Sequence, residues 1–324
     1  MKKILLFLVF LSVGAWLFWE ISKIVGWEEI RRGFLAFTGY QGIIILGLTF
    51  LTVLIGTWRW KVILKTQEID ISLKELFKPY LLGFSMMYLF PIAAFGGEAF
   101  RSYFLKSKNR VPWSKGMASV FIDRILEWTV NLIVMFFGIG FFLFTISLPP
   151  RNSVIIFLPC FLFFIVLTVF FYFKTFKKES VVKNILKINN RQAIEVEKEI
   201  FDFFKPREAS MWKGFALSFL RGGVMFLRNW LLILFLAKNI GFWPSLSILG
   251  FSYLAATIPI PAALGSHELI QFFAFNGLGL KIGTAAAFTM IIRGAEVIVS
   301  LTGIVILFHT GLEILRKNLF VNNK

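Results

Sequence analysis

The stretch Phe90-Pro-Ile-Ala-Ala-Phe-Gly-Gly-Glu98 is resembled 170 residues later by Ile260-Pro-Ala-Ala-Leu-Gly-Ser-His-Glu268. Each stretch interrupts an apolar segment with Pro and Gly, which deprive a continuous helix of backbone hydrogen bonds. The breaking residues are Pro91, Gly96 and Gly97 in the first copy, and Pro261 and Gly265 in the second. Flanking residues also match in order: Trp60, Ile63 and Leu64 with Trp230, Ile233 and Leu234, and Arg124 and Glu127 with Arg293 and Glu296. This order predicts an internal repeat.

The composition of the chain indicates a membrane protein. Of its 324 residues 57% are hydrophobic and 41 are Phe, whereas soluble domains are about 45–50% apolar. A soluble domain of this size could not keep so much apolar surface away from water. The longest polar stretch, 174–213, is too short for a large extramembrane enzyme domain. With one Cys and two His, we expect no disulfide framework, no metal site and no cofactor.

Six apolar runs are long enough to cross about 30 Å of hydrocarbon. They cover 4–25, 42–60, 117–147, 153–173, 214–237 and 284–309. The broken segments 79–100 and 243–280 are predicted to be re-entrant hairpins, which enter the membrane and return to the same side. The first run could also be a signal peptide, since two lysines precede its apolar core. The orientation of the later spans is the same in either case.

The distribution of basic residues orients the chain. With the N-terminus inside and both hairpins re-entrant, 25 of the 35 basic residues lie on the inner side and 6 on the outer side. If 79–100 crossed fully, the basic loops 101–116 and 174–213 would move outside, against the positive-inside rule. We therefore expect a multi-pass protein of the inner or plasma membrane with both termini cytoplasmic. The net charge of +17 then requires no nucleic acid as partner.

The two copies of the repeat have opposite orientations in this topology. The predicted halves are 1–150 and 151–324, and the second contains the inner loop 174–213. Inverted repeats with broken helices at matching positions are typical of transporters. Broken segments are tolerated where they line a cavity. The fold class is thus all-α, with six transmembrane helices, two re-entrant hairpins and a polar cavity at the repeat interface.

Charged residues inside the spans are the candidate cavity residues, because an ionisable group costs about 2.5–3.5 kcal/mol at the bilayer centre. They are Asp123, Arg124, Glu127, Arg221, Arg228, Arg293 and Glu296. The pairs Arg124/Glu127 and Arg293/Glu296 are three residues apart on one helical face, where opposite charges can pair. The arginines could bind a phosphate group, or each pair could be a structural ion pair. Arg221 and Arg228 have no acidic neighbour on their own helix, which favours an external anion, although Arg221 could also reach the inner surface.

Glu98 and Glu268 end the two breaks, and Arg101 follows Glu98 by three residues. The two glutamates could couple transport to protons or cap the returning helices, and capping is favoured. His267 is expected to be a local hydrogen-bond donor. In the inner loop, apolar residues between Lys178 and Lys205 are spaced as in an amphipathic helix that is broken near Asn189-Asn190. That helix could bind anionic lipid or be a plain connection.

The chain has no nucleotide-binding, hydrolase or metal-ligand motif. Glu28-Glu29 in the first outer loop is the single catalytic candidate, because lipid-linked glycosyltransferases can carry acidic residues in such a loop. This loop has only about fifteen residues and no second acidic cluster accompanies it, so we expect that the chain is not an enzyme.

The motifs P-x-x-x-x-G-G-E-x-x-R at Pro91–Arg101 and P-x-x-x-G-x-x-E at Pro261–Glu268, with Asp123-Arg124 and Arg293, resemble the lysylphosphatidylglycerol synthase transmembrane-region family. That family includes the flippase domain of the multiple peptide resistance factor and an archaeal protein linked to dolichol-phosphate glycosylation. The resemblance covers nearly the whole chain. It implies a lipid-translocating fold whose cavity accepts a phospholipid headgroup.

The resemblance also implies which residues line the cavity. By position they are Glu98, Arg101, Arg124, Glu268 and Arg293. The second copy departs from the glycine-rich pattern at Gly265-Ser266-His267, which affects the expected turn geometry. No soluble synthase domain follows the last span, so this chain is not expected to make an aminoacylated lipid.

The sequence therefore predicts a flippase that moves an anionic or phosphate-bearing lipid between leaflets. The cargo would be an aminoacylated phospholipid or a polyprenyl-phosphate-linked sugar. Arg124, Arg228 and Arg293 would neutralise the phosphate, and Glu127 and Glu296 would orient these arginines in the absence of lipid. A small-solute or ion transporter with the same cavity, and a lipid-linked glycosyltransferase, remain alternatives. The sequence leaves open whether the chain forms a homo-oligomer.

Overall fold

The structure, a computed structural model, describes residues 39–89, 96–145, 151–180, 183, 190–236, 239–258 and 265–321. Every regular element in these ranges is an α-helix. The helices are α1 (Gly39–Thr66), α2 (Leu73–Leu89), α3 (Gly96–Asn109), α4 (Trp113–Thr145), α5 (Arg151–Phe176), α6 (Arg191–Phe203), α7 (Ala209–Phe235), α8 (Phe242–Ala256), α9 (Ser266–Gly277) and α10 (Ile282–Val321).

Four of these helices are long and apolar enough to cross a membrane. They are α1, α4, α7 and the Ile282–Val305 part of α10, and they coincide with four of the six predicted spans. The predicted span at 153–173 falls within α5, a helix of 26 residues. The predicted span at 4–25 lies outside the described residues. The helical composition and these apolar spans fit a multi-pass membrane protein.

The two broken segments each contain a pair of short helices, α2 with α3 and α8 with α9. Each helix is shorter than the roughly 20 residues that a spanning helix needs. In the first pair, Arg101 contacts Tyr80 and Gly97 contacts Gly83, so the helices pack side by side in antiparallel directions. In the second pair, Gln271 donates a hydrogen bond to the Ser252 hydroxyl over 2.8 Å.

The start of the first hairpin differs from the predicted boundary at residue 79. Helix α2 begins at Leu73, and Pro79 lies inside it. The start is set by Ser72, whose hydroxyl accepts a hydrogen bond from the Glu75 backbone N–H over 3.3 Å. Ser72 thus supplies one of the acceptors that the free N–H groups of a first turn need. The proline ring therefore lies about two turns into the helix.

Small residues allow each hairpin to pack closely against a long helix from the other half of the chain. Helix α8 crosses α4 where the Ser247 hydroxyl donates to the Gly138 carbonyl over 2.7 Å. Helix α2 crosses α10 where a Cβ on Gly303 would lie 2.1 Å from the Ser85 hydroxyl. Close backbone approach at small residues is the usual means of helix association in membranes. Helices α1 and α7 pack against each other.

Helix α6 supplies the amphipathic helix that was predicted in the inner loop. It begins directly after Asn190, whose side chain accepts hydrogen bonds from the backbone N–H groups of Gln192 and Ala193. Asn190 is therefore the N-cap of α6, whereas residues 184–189 before it lie outside the described residues, so the predicted break near Asn189-Asn190 stays a prediction. Helix α6 packs against α4 and α5.

Candidate functional site

Seven charged side chains meet where α1, α3, α4 and α7 come together, and we call them the first cluster. They are Arg59, Glu98, Arg101, Asp123, Arg124, Glu127 and Arg221. Six of the seven were named as candidate residues from the sequence. The structure brings these six together and adds Arg59.

Asp123 forms the fully buried end of the first cluster. Its carboxylate accepts a hydrogen bond from Arg59 Nε over 2.6 Å on one oxygen and from Arg101 Nη1 over 2.8 Å on the other. The Arg101 guanidinium also lies 4.1 Å from the ring centre of Trp60 and 4.5 Å from that of Tyr80. Charge-assisted bonds and ring contacts of this kind fix a guanidinium in place. Both oxygens of the Asp123 carboxylate are therefore bonded by protein groups.

Glu127 forms the accessible end of the first cluster. Its carboxylate is 3.1 Å from Arg59 Nη2, 3.1 Å from Arg124 Nη1 and 2.5 Å from Arg221 Nη1. The side chains of Glu127, Arg124 and Arg221 are 12%, 19% and 11% exposed, whereas that of Asp123 is 0% exposed. Arg124 and Arg221 are thus the partly exposed arginines of the cluster, whereas the Asp123 end is fully buried.

A second cluster lies where α1, α7, α9 and α10 meet, and it contains Arg228, Glu268, Arg293 and Glu296. Arg228 Nη1 donates to Glu296 over 3.1 Å and to the Thr49 hydroxyl over 3.2 Å. Arg293 Nη1 is 3.2 Å from Glu268. All four side chains come from the predicted set.

The two clusters share one arrangement of charges. The glutamate that follows each break pairs with the arginine of the next long helix: Glu98 with Arg124 over 2.5 Å, and Glu268 with Arg293 over 3.2 Å. Each pair ties the second helix of a hairpin to a membrane span. Sequence analysis did not identify these pairs because their members are 25 or 26 residues apart.

The predicted pairing within helices holds for the first cluster, where Arg124 lies 3.1 Å from Glu127. In the second cluster Glu296 lies 3.1 Å from Arg228 of α7, and Arg293 lies 3.2 Å from Glu268 of α9. Arg221 and Arg228 do have acidic partners, which α4 and α10 supply. The expectation that an external anion must complete them is therefore weakened.

The Glu268 carboxylate also accepts a hydrogen bond from the Gly265 backbone N–H over 2.8 Å, next to the start of α9. This bond confirms the predicted capping role for Glu268. Gly265 has a φ of +80°, which glycine adopts without strain. In the other copy, Gly96 and Gly97 begin α3. A Cβ on Gly97 would lie 2.2 Å from the Gly83 carbonyl oxygen, so close packing requires glycine there.

Helix α7 connects the two clusters. Arg221 and Arg228 are seven residues apart on it, so they lie on one face about 10 Å from each other along the axis. Arg221 pairs with α4 and Arg228 with α10. Arg221 thus points into the protein, toward Glu127 of α4.

Arg59 was missed because it lies at the end of the apolar run 42–60 and was assigned to an inner loop. Helix α1 continues to Thr66, and Arg59 is buried. The following residues Trp60, Ile63 and Leu64 are also buried. Their helical spacing was the signal that the buried helix extends beyond Arg59.

Three other predictions fall outside the described residues: the breaks at Pro91 and Pro261, and the acidic pair Glu28-Glu29. Within the described ranges, no group of three or more His, Cys, Asp or Glu side chains could hold a metal ion. The two clusters consist of guanidinium and carboxylate groups. Guanidinium groups bind anions by charge-assisted hydrogen bonds, and carboxylates bind cations in the same way.

Comparison with known proteins gives one family and several relatives. The family model described as "Lysylphosphatidylglycerol synthase TM region" matches residues 4–303. The UPF0104 membrane protein MJ1595 of Methanocaldococcus jannaschii is 24% identical over 309 residues, which cover 90% of this chain and 89% of the relative. The UPF0104 membrane protein PH1989 of Pyrococcus horikoshii is 25% identical over 321 residues, covering 90% and 92%.

Proposed function

This chain belongs to the lysylphosphatidylglycerol synthase TM region family of membrane proteins, and from that premise we propose that it moves a phosphate-bearing lipid between the leaflets of a cell membrane. The lipid would be an aminoacylated phospholipid or a polyprenyl-phosphate-linked sugar. The observation that carries this proposal is the convergence of three arginines on Glu127 at the accessible end of the first cluster.

The charge balance of the first cluster favours an anionic ligand. Among the described residues, four arginines face three carboxylates there, which leaves one positive charge in excess. An uncompensated charge in a buried site is costly. A phosphodiester carries one negative charge and accepts bidentate hydrogen bonds from guanidinium. A lipid phosphate bound at Arg124 and Arg221 would balance the cluster.

Ligand exchange at this site need not leave Glu127 without a partner. When a phosphate binds Arg124 and Arg221, Glu127 can keep its 3.1 Å contact with Arg59, which Asp123 holds in place. In the absence of lipid, Glu127 orients the two accessible arginines. Binding thus exchanges one charge-assisted hydrogen bond for another, which keeps the energetic cost of entry low.

The second cluster would receive the phosphate after the first. Arg228 lies about 10 Å from Arg221 along α7, and Glu296 orients it over 3.1 Å. Arg293 would join Arg228 in neutralising the phosphate. In the described part of the second cluster, two arginines face two carboxylates. Balanced charge favours release over retention, as a transport path requires.

We propose for the whole chain the predicted inverted repeat of six spans and two re-entrant hairpins. Two observations support it: α2 crosses α10, and α8 crosses α4. Helices α2 and α8 are the first helices of the two hairpins, and α4 and α10 are the last spans of the two halves. Each hairpin therefore contacts the last span of the opposite half. Such exchanged contacts are expected when two copies are related by a pseudo-two-fold axis.

The test is a leaflet-transfer assay with the purified protein in phosphatidylcholine vesicles that contain phosphatidylglycerol with a fluorescent acyl chain. Wild type is compared with R124Q, R293Q and the control R110Q, whose arginine is exposed and belongs to neither cluster. We expect transfer to fall at least about tenfold in the first two variants, equivalent to about 1.4 kcal/mol. Normal transfer by R124Q and R293Q, with wild-type folding, would contradict the proposal.

The same accessible arginines would also suit a small inorganic anion, which is the main alternative. Uptake of phosphate ions into these vesicles distinguishes the two functions. A lipid path needs a lateral opening toward the bilayer, whereas a solute path must be sealed from the bilayer. Arginine-dependent phosphate uptake without lipid transfer would favour the alternative.

A further inference from the structure

A groove of about 540 Å³ lies between α4, α5 and α6, apart from both charge clusters. Its apolar lining includes Trp113, Met117 and Phe121 from α4, Phe171 from α5, and Val196 and Ile200 from α6. This volume falls within the range of about 300–1,000 Å³ that small-molecule sites occupy. From its lining and surroundings, we propose that the groove binds an acyl chain of an anionic phospholipid from the inner leaflet.

The apolar interior of the groove suits a hydrocarbon chain. The α4 residues are four apart, as on one face of a helix, and four aromatic rings, including that of Phe201, contribute to the wall. Helix α5 exposes large apolar side chains, such as Leu162 and Val166, beside this region. In a membrane these exposed side chains face lipid, so acyl chains surround the helix that forms one wall of the groove.

The polar lining residues indicate where the headgroup would lie. They are Asn190 and Gln192, which are exposed at the start of α6, and Glu197, which accepts a hydrogen bond from the Ser180 hydroxyl. The exposed Arg191 lies between the first two in sequence, and the exposed Lys178 and Lys183 lie within three residues of Ser180. Over 174–213, ten basic residues face six acidic ones. An anionic headgroup at this end therefore meets complementary charge, with its chain directed along α4.

Occupancy of the groove would also affect the first cluster. Ile200 of α6 lines the groove and packs against a buried group that includes Phe203, Phe204 and Leu126. Leu126 immediately precedes Glu127 on α4. A lipid that holds α6 against α4 would thus stabilise the helix that carries the carboxylate. This lipid is distinct from the transported one, and the inference does not depend on the proposed function.

The experiment is photo-crosslinking of the full chain in phosphatidylcholine vesicles that contain a minor fraction of phosphatidylglycerol with a diazirine in one acyl chain. A second set contains the same probe as phosphatidylcholine. Adducts are located by peptide mass spectrometry. The variants are A193F, which inserts a ring at the groove wall, and the matched control A209F, at an exposed position at the start of α7.

We expect adducts to concentrate on 113–121 and 193–201 in wild type and A209F. They should fall at least about fivefold in A193F, because a ring occupies much of a small pocket. The phosphatidylglycerol probe should label these peptides about fivefold more than the phosphatidylcholine probe. This ratio corresponds to the roughly 1 kcal/mol by which one basic residue near the membrane surface favours an anionic headgroup. The probe comparison in wild type alone remains a test if A193F does not fold.

Three results would overturn the inference. Labelling of the groove peptides that is unchanged by A193F would indicate ordinary contact with bulk lipid. Equal labelling by both probes would exclude selection of anionic lipid. Absence of adducts on the groove peptides, with labelling on the outward face of α5, would indicate that the chain's own residues fill the groove. Leaflet transfer measured on the same samples reports separately on the proposed function.

Discussion

Arg59 and Asp123, 64 residues apart in the chain, form a 2.6 Å hydrogen bond in which both side chains are buried. Arg101 binds the second oxygen of the same carboxylate. Asp123 therefore joins α1, α3 and α4 at one point. Arg124 and Glu127, the accessible residues of α4, lie within about one helical turn of Asp123. The buried ionic centre at Asp123 therefore supports the two residues at which we propose that the ligand binds.

Replacing Asp123 by Asn should strongly destabilise the fold. The change leaves Arg59 and Arg101 buried without their carboxylate, and removing one partner of a buried ion pair typically costs about 3–5 kcal/mol. Thermal unfolding in detergent measures the effect. The control is D202N, which removes a surface pair with Lys205 and should cost less than about 1 kcal/mol. Equal unfolding temperatures for both variants would show that Asp123 has no such role.

Replacing Gly97 by Ala should separate α2 from α3. The added Cβ would lie 2.2 Å from the Gly83 carbonyl oxygen, and such overpacking costs about 1–3 kcal/mol. The matched control is G140A on α4, where nothing lies within 4 Å of the new Cβ. That variant should be neutral or more stable by up to about 1 kcal/mol. The unfolding temperature distinguishes the two, and a stabilising G97A would contradict the observed packing.

Replacing Glu296 by Gln should strengthen lipid binding and slow transfer. The change removes the carboxylate that lies 3.1 Å from Arg228 and competes with the lipid phosphate for it. A phosphate should therefore bind about tenfold more tightly, a difference of about 1.4 kcal/mol in binding free energy. Slower release then lowers the transfer rate. Titration by native mass spectrometry and the leaflet-transfer assay measure the two effects. The control is E195Q, which removes an exposed carboxylate, and weaker lipid binding by E296Q would refute the assigned role.

Local features of the fold could be predicted from the sequence. Apolar runs predicted α1, α4, α7 and α10, because length and hydropathy are properties of one segment. The positions of Pro and Gly predicted two interrupted segments, and both contain short helices. Helix α2 begins at Leu73, six residues before the predicted apolar segment 79–100, because its first turn follows the Ser72 cap and is less apolar than the rest of the helix.

Contacts between helices could not be predicted in the same way. The spacing of Arg124 and Glu127 indicated their pair, since both lie on α4. The pairs Arg228–Glu296 and Glu268–Arg293 depend on which helices are neighbours, and one sequence does not report this. Arg59 was missed because a hydropathy boundary does not show where a buried helix ends.

The central claim is that Arg124 and Arg221 bind the phosphate of a lipid, and native mass spectrometry of the detergent-purified protein tests it most directly. Wild type is compared with the double variant R124Q/R221Q and with R110Q, which changes an exposed arginine outside both clusters and the groove. We predict one phosphate-bearing lipid that wild type and R110Q retain and R124Q/R221Q loses, beside any anionic phospholipid held in the groove. A mixed set of lipids that the double variant leaves unchanged would contradict the account and identify the first cluster as a structural ion network.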